Sequence, residues 1–166
     1  MPYTPVLGTL GFILSEDRQS VLMVHRNARP EDTAFGKFNG LGGKVEKGED
    51  VATGMIREIR EEAGIEVTEM TLRGTVSWPG FGRESESWFA FVFLITGWGG
   101  TPFRSNPEGT LDWVPLEQVL AGELAMWEGD RLWIGMVFDD DPRPFHGVSP
   151  YDHLEVIADG WKCVRL

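Results

Sequence analysis

The chain has 166 residues, 42% hydrophobic and 25% charged, a size and composition that fit one globular domain, 1–166, with a buried core. Its 26 Asp and Glu outnumber 15 Lys and Arg, and the net charge of −11 repels polynucleotide phosphate while permitting a small phosphorylated ligand screened by divalent cations. No apolar run approaches the roughly 20 residues of a membrane span and no basic-then-apolar leader opens the chain, so a cytoplasmic protein without membrane partners is expected. The single cysteine, Cys163, has no partner for an internal disulfide and reads as an inert, buried thiol of a reducing compartment.

Residues 5–14 (PVLGTLGFIL) and 20–25 (SVLMVH) read as paired strands around a turn at Glu16-Asp17-Arg18. The polar stretch 27–37, with Pro and Gly, is a loop. Gly40, Gly42 and Gly43, followed by Lys44, predict a glycine-rich turn that offers backbone N–H groups and a mobile positive charge. A helix follows over about 50–63, opened by Asp50 as N-cap and stopped at Gly64. The stretches 65–78 and 87–96 are strands joined by the loop PGFGRES, and GGTPFRSNPEG is a second loop before the short strand TLDWV. Helical segments are expected near 115–122 and 125–137, and two short strands, around 152–158 and 161–165, close the chain. One helix flanked by strands, with further helices late, predicts an α/β or α+β sandwich.

On a helical wheel Ala52, Met55, Ile56 and Ala63 fall within about 60° of Ile59 and form one apolar stripe. Glu58, Glu61 and Glu62 share the flank beside it, with Gly54 expected to leave open space next to them. Glutamates alone on a solvated face are ordinary helix formers. Beside a glycine-rich turn with a lysine, the same acids instead form a site for a metal-bound pyrophosphate. Clustered hard oxygens suit Mg²⁺, with Mn²⁺ as substitute.

The stretch Gly43, Glu49, Arg57-Glu58-Ile59, Glu61-Glu62, Gly64-Ile65 resembles the signature of the Nudix hydrolases without departure. Nine such matches arise by chance about once in 10⁹ start positions, so the likeness is specific although it spans 23 residues. The resemblance implies an α/β/α sandwich with a mixed sheet. It implies hydrolysis of a nucleoside diphosphate linked to another group, with water attacking a phosphorus. Glu58 and Glu62 would hold Mg²⁺ with the Gly42 carbonyl, Glu61 being a further ligand or its neighbour, and Gly43 and Lys44 would contact phosphate. Glu49 and Arg57 would form a structural ion pair. The cation lowers the pKa of a water, and a carboxylate takes its proton. Candidates for that base are Glu58 and Glu108, the latter equally readable as an ordinary loop acid.

Outside the signature, "GKFNGLGGKVEKGE", "EGTLDWVPLEQV" and "MWEGDRLW" resemble the branch that hydrolyses oxidised purine nucleoside triphosphates such as 8-oxo-dGTP. By that resemblance Asn39 would meet the purine edge, Trp127 would stack on the base, Asp130 would hydrogen-bond to it, and Glu108 would join the metal site. Trp78 is either a pocket aromatic or core, and "FHG" at 145–147 occurs at a comparable place. His25 lines the pocket or is an ordinary strand residue. The branch has two adjacent aspartates after its tryptophan, whereas this chain reads Trp127-Glu128-Gly129-Asp130, so one acid is displaced or missing. The implied partner is a small nucleotide, handled by a monomer or homodimer. Other Nudix substrates (dinucleoside polyphosphates, nucleotide sugars, RNA 5′ ends) and a non-catalytic nucleotide sensor are the alternatives.

Overall fold

The computed structural model describes residues 1–166. Alternating apolar residues in the first strands give β1 (Val6–Leu14) and β2 (Ser20–His25), paired antiparallel across the expected turn. β3 (Phe38–Asn39) pairs with β2, and β4 (Leu41–Lys44) pairs antiparallel with β1, bringing Gly42 opposite Leu10 and Gly43 opposite Thr9. The glycine-rich stretch is therefore a strand, not the turn expected. A Cβ on Gly42 would fall on the Thr9 carbonyl, so glycine is required there for close approach of two backbones.

Helix α1 (Val51–Ala63) forms within its expected limits. Asp50 accepts from Thr53 N–H at 2.9 Å, and Gly64 ends the helix in the left-handed region at φ 69°. Met55, Ile59 and Ala63 are buried as the stripe requires. Gly54 differs from expectation: it is buried, and a Cβ there would come within 2.9 Å of Glu49 Oε1, so it admits that carboxylate rather than leaving open space.

β5 (Glu66–Trp78) and β6 (Trp88–Gly99) form a long antiparallel pair, and β6 runs parallel to β1. β7 (Ser105–Asn106), β8 (Gly109–Pro115) and the short helix α2 (Leu116–Ala121) follow. The helix expected at 125–137 is broken into a 3₁₀ turn (Glu128–Leu132) and α3 (Ile134–Phe138), with fully buried Trp133 between them. β9 (Phe145–Val148) lies parallel to β5, and β12 (Lys162–Arg165) is the sheet edge beyond it. β10 (Tyr151–Asp152) and β11 (Glu155–Val156) form a small separate hairpin in place of one strand over 152–158. Cys163 lies on the edge strand and is exposed, contrary to the buried thiol expected.

The ten-stranded mixed sheet runs β12-β9-β5-β6-β1-β2-β8-β7, with β3 and β4 branching from β2 and β1. Strand alternation sends Ile13, Leu22 and Val24 to one face, where Met55, Ile59 and Ala63 of α1 cover them. Phe12, Leu14 and Met23 face the other way, against Trp133, Ile134 and Val137. The result is the expected sandwich of helices on a mixed sheet. No helix is long and apolar enough to cross a membrane.

Candidate active site

Burying one stripe of α1 fixes where its acids stand. Glu62 turns toward β4, accepts from Gly42 N–H at 3.2 Å, and has its carboxyl pushed up to about 8, first by burial and then by the charges of Glu108 and Glu58. Glu58 lies against Gly43, where a Cβ would come within 2.5–2.7 Å of its carboxylate, so glycine is needed there too. Burial raises the Glu58 pKa despite the guanidinium of Arg57 at 2.9 Å. Glu61 points outward, 60% exposed, and meets Arg57 at 3.3 Å.

Arg57 organises this cluster. It donates to both Glu49 oxygens, at 3.0 and 2.7 Å, and to the Lys44 carbonyl at 3.2 Å, so loop, strand and helix are tied together by one fork of donors. The Glu49 hydrogen bonds hold the guanidinium well above its usual range and the Glu49 carboxyl below its own. On the other side, Asn106 Nδ2 donates to the Glu62 carbonyl at 3.3 Å, while Asn106 Oδ1 accepts from Glu108 N–H at 2.9 Å. That turn carries Glu108 close enough to raise the Glu62 pKa.

No three acids, histidines or cysteines stand together as a closed ligand set; Arg57 engages Glu58 and Gly42 N–H engages Glu62. The donor chemistry nevertheless fits a hard divalent cation. Buried Glu62 feels two further carboxylates, all donors are oxygen, and a cation between them would relieve the repulsion that now raises the Glu62 pKa.

A cavity of about 430 Å³ opens beside the acids. Gly42, Gly43, Lys44, Arg26 and Glu108 line it, and so do Asn39, Trp78, Trp127 and Asp130. Lys44 Nζ lies 5.5 Å from the Trp88 ring centre, and Lys37 Nζ covers the Trp127 ring at 4.9 Å. Trp78 also touches the core, with its ring 6.3 Å from that of Trp133, so it serves both expected roles. Asn39 Oδ1 is buried without a hydrogen-bond partner. The Asp130 carboxyl is pushed up to about 7 by burial, opposed only by the neighbouring charge of Arg131.

Glu58, Glu61 and Glu62 are not part of the cavity wall, whereas Glu108 is. His25 does not line the cavity; its ring stacks on Phe38 at 4.2 Å, which turns it away. "FHG" is β9, with Phe145 in the core and His146 Nδ1 2.8 Å from Thr75 Oγ1. Sequence reasoning missed Arg26, Phe81, Trp88 and Tyr151 as cavity residues. Arg26 had a signal, a cation at the start of the long loop, where it now bonds Asp32 at 2.7 Å and Glu108 at 3.1 Å. The acid missing at Gly129 leaves no hole, because the Tyr151 hydroxyl stands there and accepts from Gly129 N–H.

Buried carboxylates beside backbone N–H groups, a lysine and an arginine suit cation-assisted displacement at phosphorus, the chemistry of hydrolases of small phosphorylated molecules. The profile of the NUDIX domain matches residues 4–134, and the chain belongs to the Nudix hydrolase family, whose members generally depend on a divalent metal and act on small nucleotides. It is 28% identical over 124 residues to an oxidized purine nucleoside triphosphate hydrolase of Danio rerio, covering 75% of this chain and 76% of the relative. With the protein of the same description from Mus musculus it shares 32% over 102 residues, 61% of this chain and 63% of that one. A crystal structure of a MutT protein from Bacillus halodurans superposes with a TM-score of 0.78 at 28% identity, covering 95% and 97% of the two chains.

Proposed function

We propose that this protein is a Mg²⁺-dependent nucleoside triphosphate pyrophosphohydrolase, with Mn²⁺ as a substitute, that prefers an oxidised purine such as 8-oxo-dGTP. The products are a nucleoside monophosphate and pyrophosphate, and residues 1–166 act as one domain, since the segment beyond the family match adds β9 and β12 to the sheet and Tyr151 to the cavity. The observation that carries the reading is the buried, unpartnered Asn39 Oδ1 in a cavity that also holds tryptophan rings and Lys44. An orphaned amide oxygen is a standing acceptor for a base edge, and an amide can also donate there. Two animal relatives described as oxidized purine nucleoside triphosphate hydrolases support the same class.

In this reading Trp127 stacks on the base with Lys37 on its other side, and Asp130, neutral below about pH 7, donates to the base. Lys44, Arg26 and the Gly43 backbone receive the phosphates, whose charge complements theirs. Glu58, Glu62 and the Gly42 carbonyl hold the cation, with Glu61 at its periphery. When bound, the cation neutralises phosphate charge and acidifies a water. Glu108, which faces the cavity, takes the proton of the attacking water as the α–β phosphate bridge breaks.

The test is kcat/KM with Mg²⁺ for 8-oxo-dGTP, 2-oxo-dATP, dGTP, dATP, a diadenosine polyphosphate and a nucleotide sugar, scoring the products. A preference of at least tenfold for an oxidised purine, about 1.4 kcal/mol of transition-state binding, is expected. A flat profile, or activity on the last two alone, would remove the base-recognition reading.

A further inference from the structure

Tyr151 is 5% exposed and meets Phe81 edge-on at 5.0 Å and 81°, and Trp127 at 6.5 Å and 83°. Its hydroxyl accepts from Gly129 N–H at 3.2 Å. A Cβ on Gly129 would fall on that hydroxyl and within 3.0 Å of Ser149 Oγ, so hydroxyl and side chain compete for one volume. The glycine thus fixes the phenol beside Asp130.

A phenol oxygen that accepts still has a proton to give. The bond from Gly129 is the one hydrogen bond of this hydroxyl, and Tyr151 lines the same cavity as Asn39 and Asp130. Ser149 Oγ, next to it, is buried and unpartnered as well, and no hydrogen bond joins the two hydroxyls, so the phenol's proton is not taken up by the protein. A buried donor without an acceptor is costly unless a ligand or water completes it.

We propose that Tyr151 is a specificity-determining residue: its hydroxyl, oriented by Gly129 N–H, donates to a carbonyl oxygen of an oxopurine placed against Trp127. The inference rests on reading the cavity as a nucleotide site. Unlike a carboxylate, a phenol is neutral and a donor throughout the neutral range, and burial here raises its pKa further. This wall therefore favours a base that presents oxygen over one that presents an amino group, because only the oxygen takes up the phenol's proton.

The test measures kcat and KM of wild type, Tyr151→Phe and Gly129→Ala on dITP, on dATP and on the triphosphate of 2′-deoxypurine riboside, which lacks the 6-oxygen, and on 8-oxo-dGTP. Wild type should favour the oxopurines by tenfold or more. Tyr151→Phe should lose at least tenfold on them and under threefold on dATP. Gly129→Ala, which displaces the hydroxyl without deleting it, should repeat that collapse and serves if the first variant does not fold. Equal losses on every base would reduce Tyr151 to a support for Gly129 and overturn the proposal, as would an unchanged preference. Nucleoside triphosphates left uncleaved by wild type would overturn the nucleotide reading and this inference together. Discrimination retained in both variants would overturn this inference alone.

Discussion

Asp130 is a carboxylic acid whose environment favours the neutral form, because burial is opposed by one neighbouring cation and by no hydrogen bond. The consequence for stability has a definite sign. The carboxyl titrates near its usual 3.8 in the unfolded chain and at about 7 in the folded one, so its contribution is fully present below the lower value and is lost as pH rises through the upper. Asp130→Asn removes that dependence. The stability of wild type relative to the variant should therefore fall by about 1–2 kcal/mol between pH 4.5 and pH 8, allowing for solvent at the cavity mouth. Urea denaturation at the two pH values measures it, and a constant difference would mean that Asp130 is solvated like a surface acid. The acid and tryptophan of this segment were legible in the sequence, but Tyr151 was not. It reaches the cavity from a two-residue strand with no local pattern, and its only signature is the absence of a side chain at Gly129, which becomes informative once the two are seen in contact.

At the level of elements, α1 was legible almost to the residue because cap, stripe and stop are local: Asp50, the Met55–Ile59–Ala63 face, and Gly64. β4 was not, because Gly40, Gly42 and Gly43 carry the same letters whether a glycine is wanted for a turn or for contact. Contact is the reason here, since the Thr9 carbonyl of β1 leaves no room for a Cβ on Gly42. The helix expected at 125–137 failed for a related reason. Its apolar spacing is real, but Trp133 fills the core between two short helical pieces and fixes the break. The requirement at Gly42 can be measured. Gly42→Ala should cost about 2–3 kcal/mol, since two backbones rather than a flexible side chain must move. It should also disturb the N–H that binds Glu62, lowering activity with stability. Gly99→Ala is the control: nothing lies within 4 Å of its Cβ and its φ is not left-handed, so the change should fall within about 0.5 kcal/mol. Similar losses in both would show that chain entropy, not contact, decides these sites.

Across the whole molecule, a net charge of −11 means that any salt eases repulsion, so cation effects must be separated into general screening and binding at one place. The cluster at the junction of α1, β4 and the β7–β8 turn offers a way to do so. Metal-free, Glu62 is a buried acid crowded by Glu58 and Glu108, and Gln at this position would remove the charge while keeping an oxygen for Gly42 N–H. Glu62→Gln should therefore match or exceed wild type in Tm in chelator at pH 8. With Mg²⁺ or Mn²⁺ the order should invert. Wild type gains about 2.7 kcal/mol when the cation stands at a hundred times its Kd, whereas the variant gains what NaCl of equal ionic strength supplies. Calorimetry in the three buffers reads all of these terms. An equal cation-specific gain in both proteins would place the metal away from Glu62, and a variant less stable in chelator would mean that the folded protein needs this charge for reasons other than the cation.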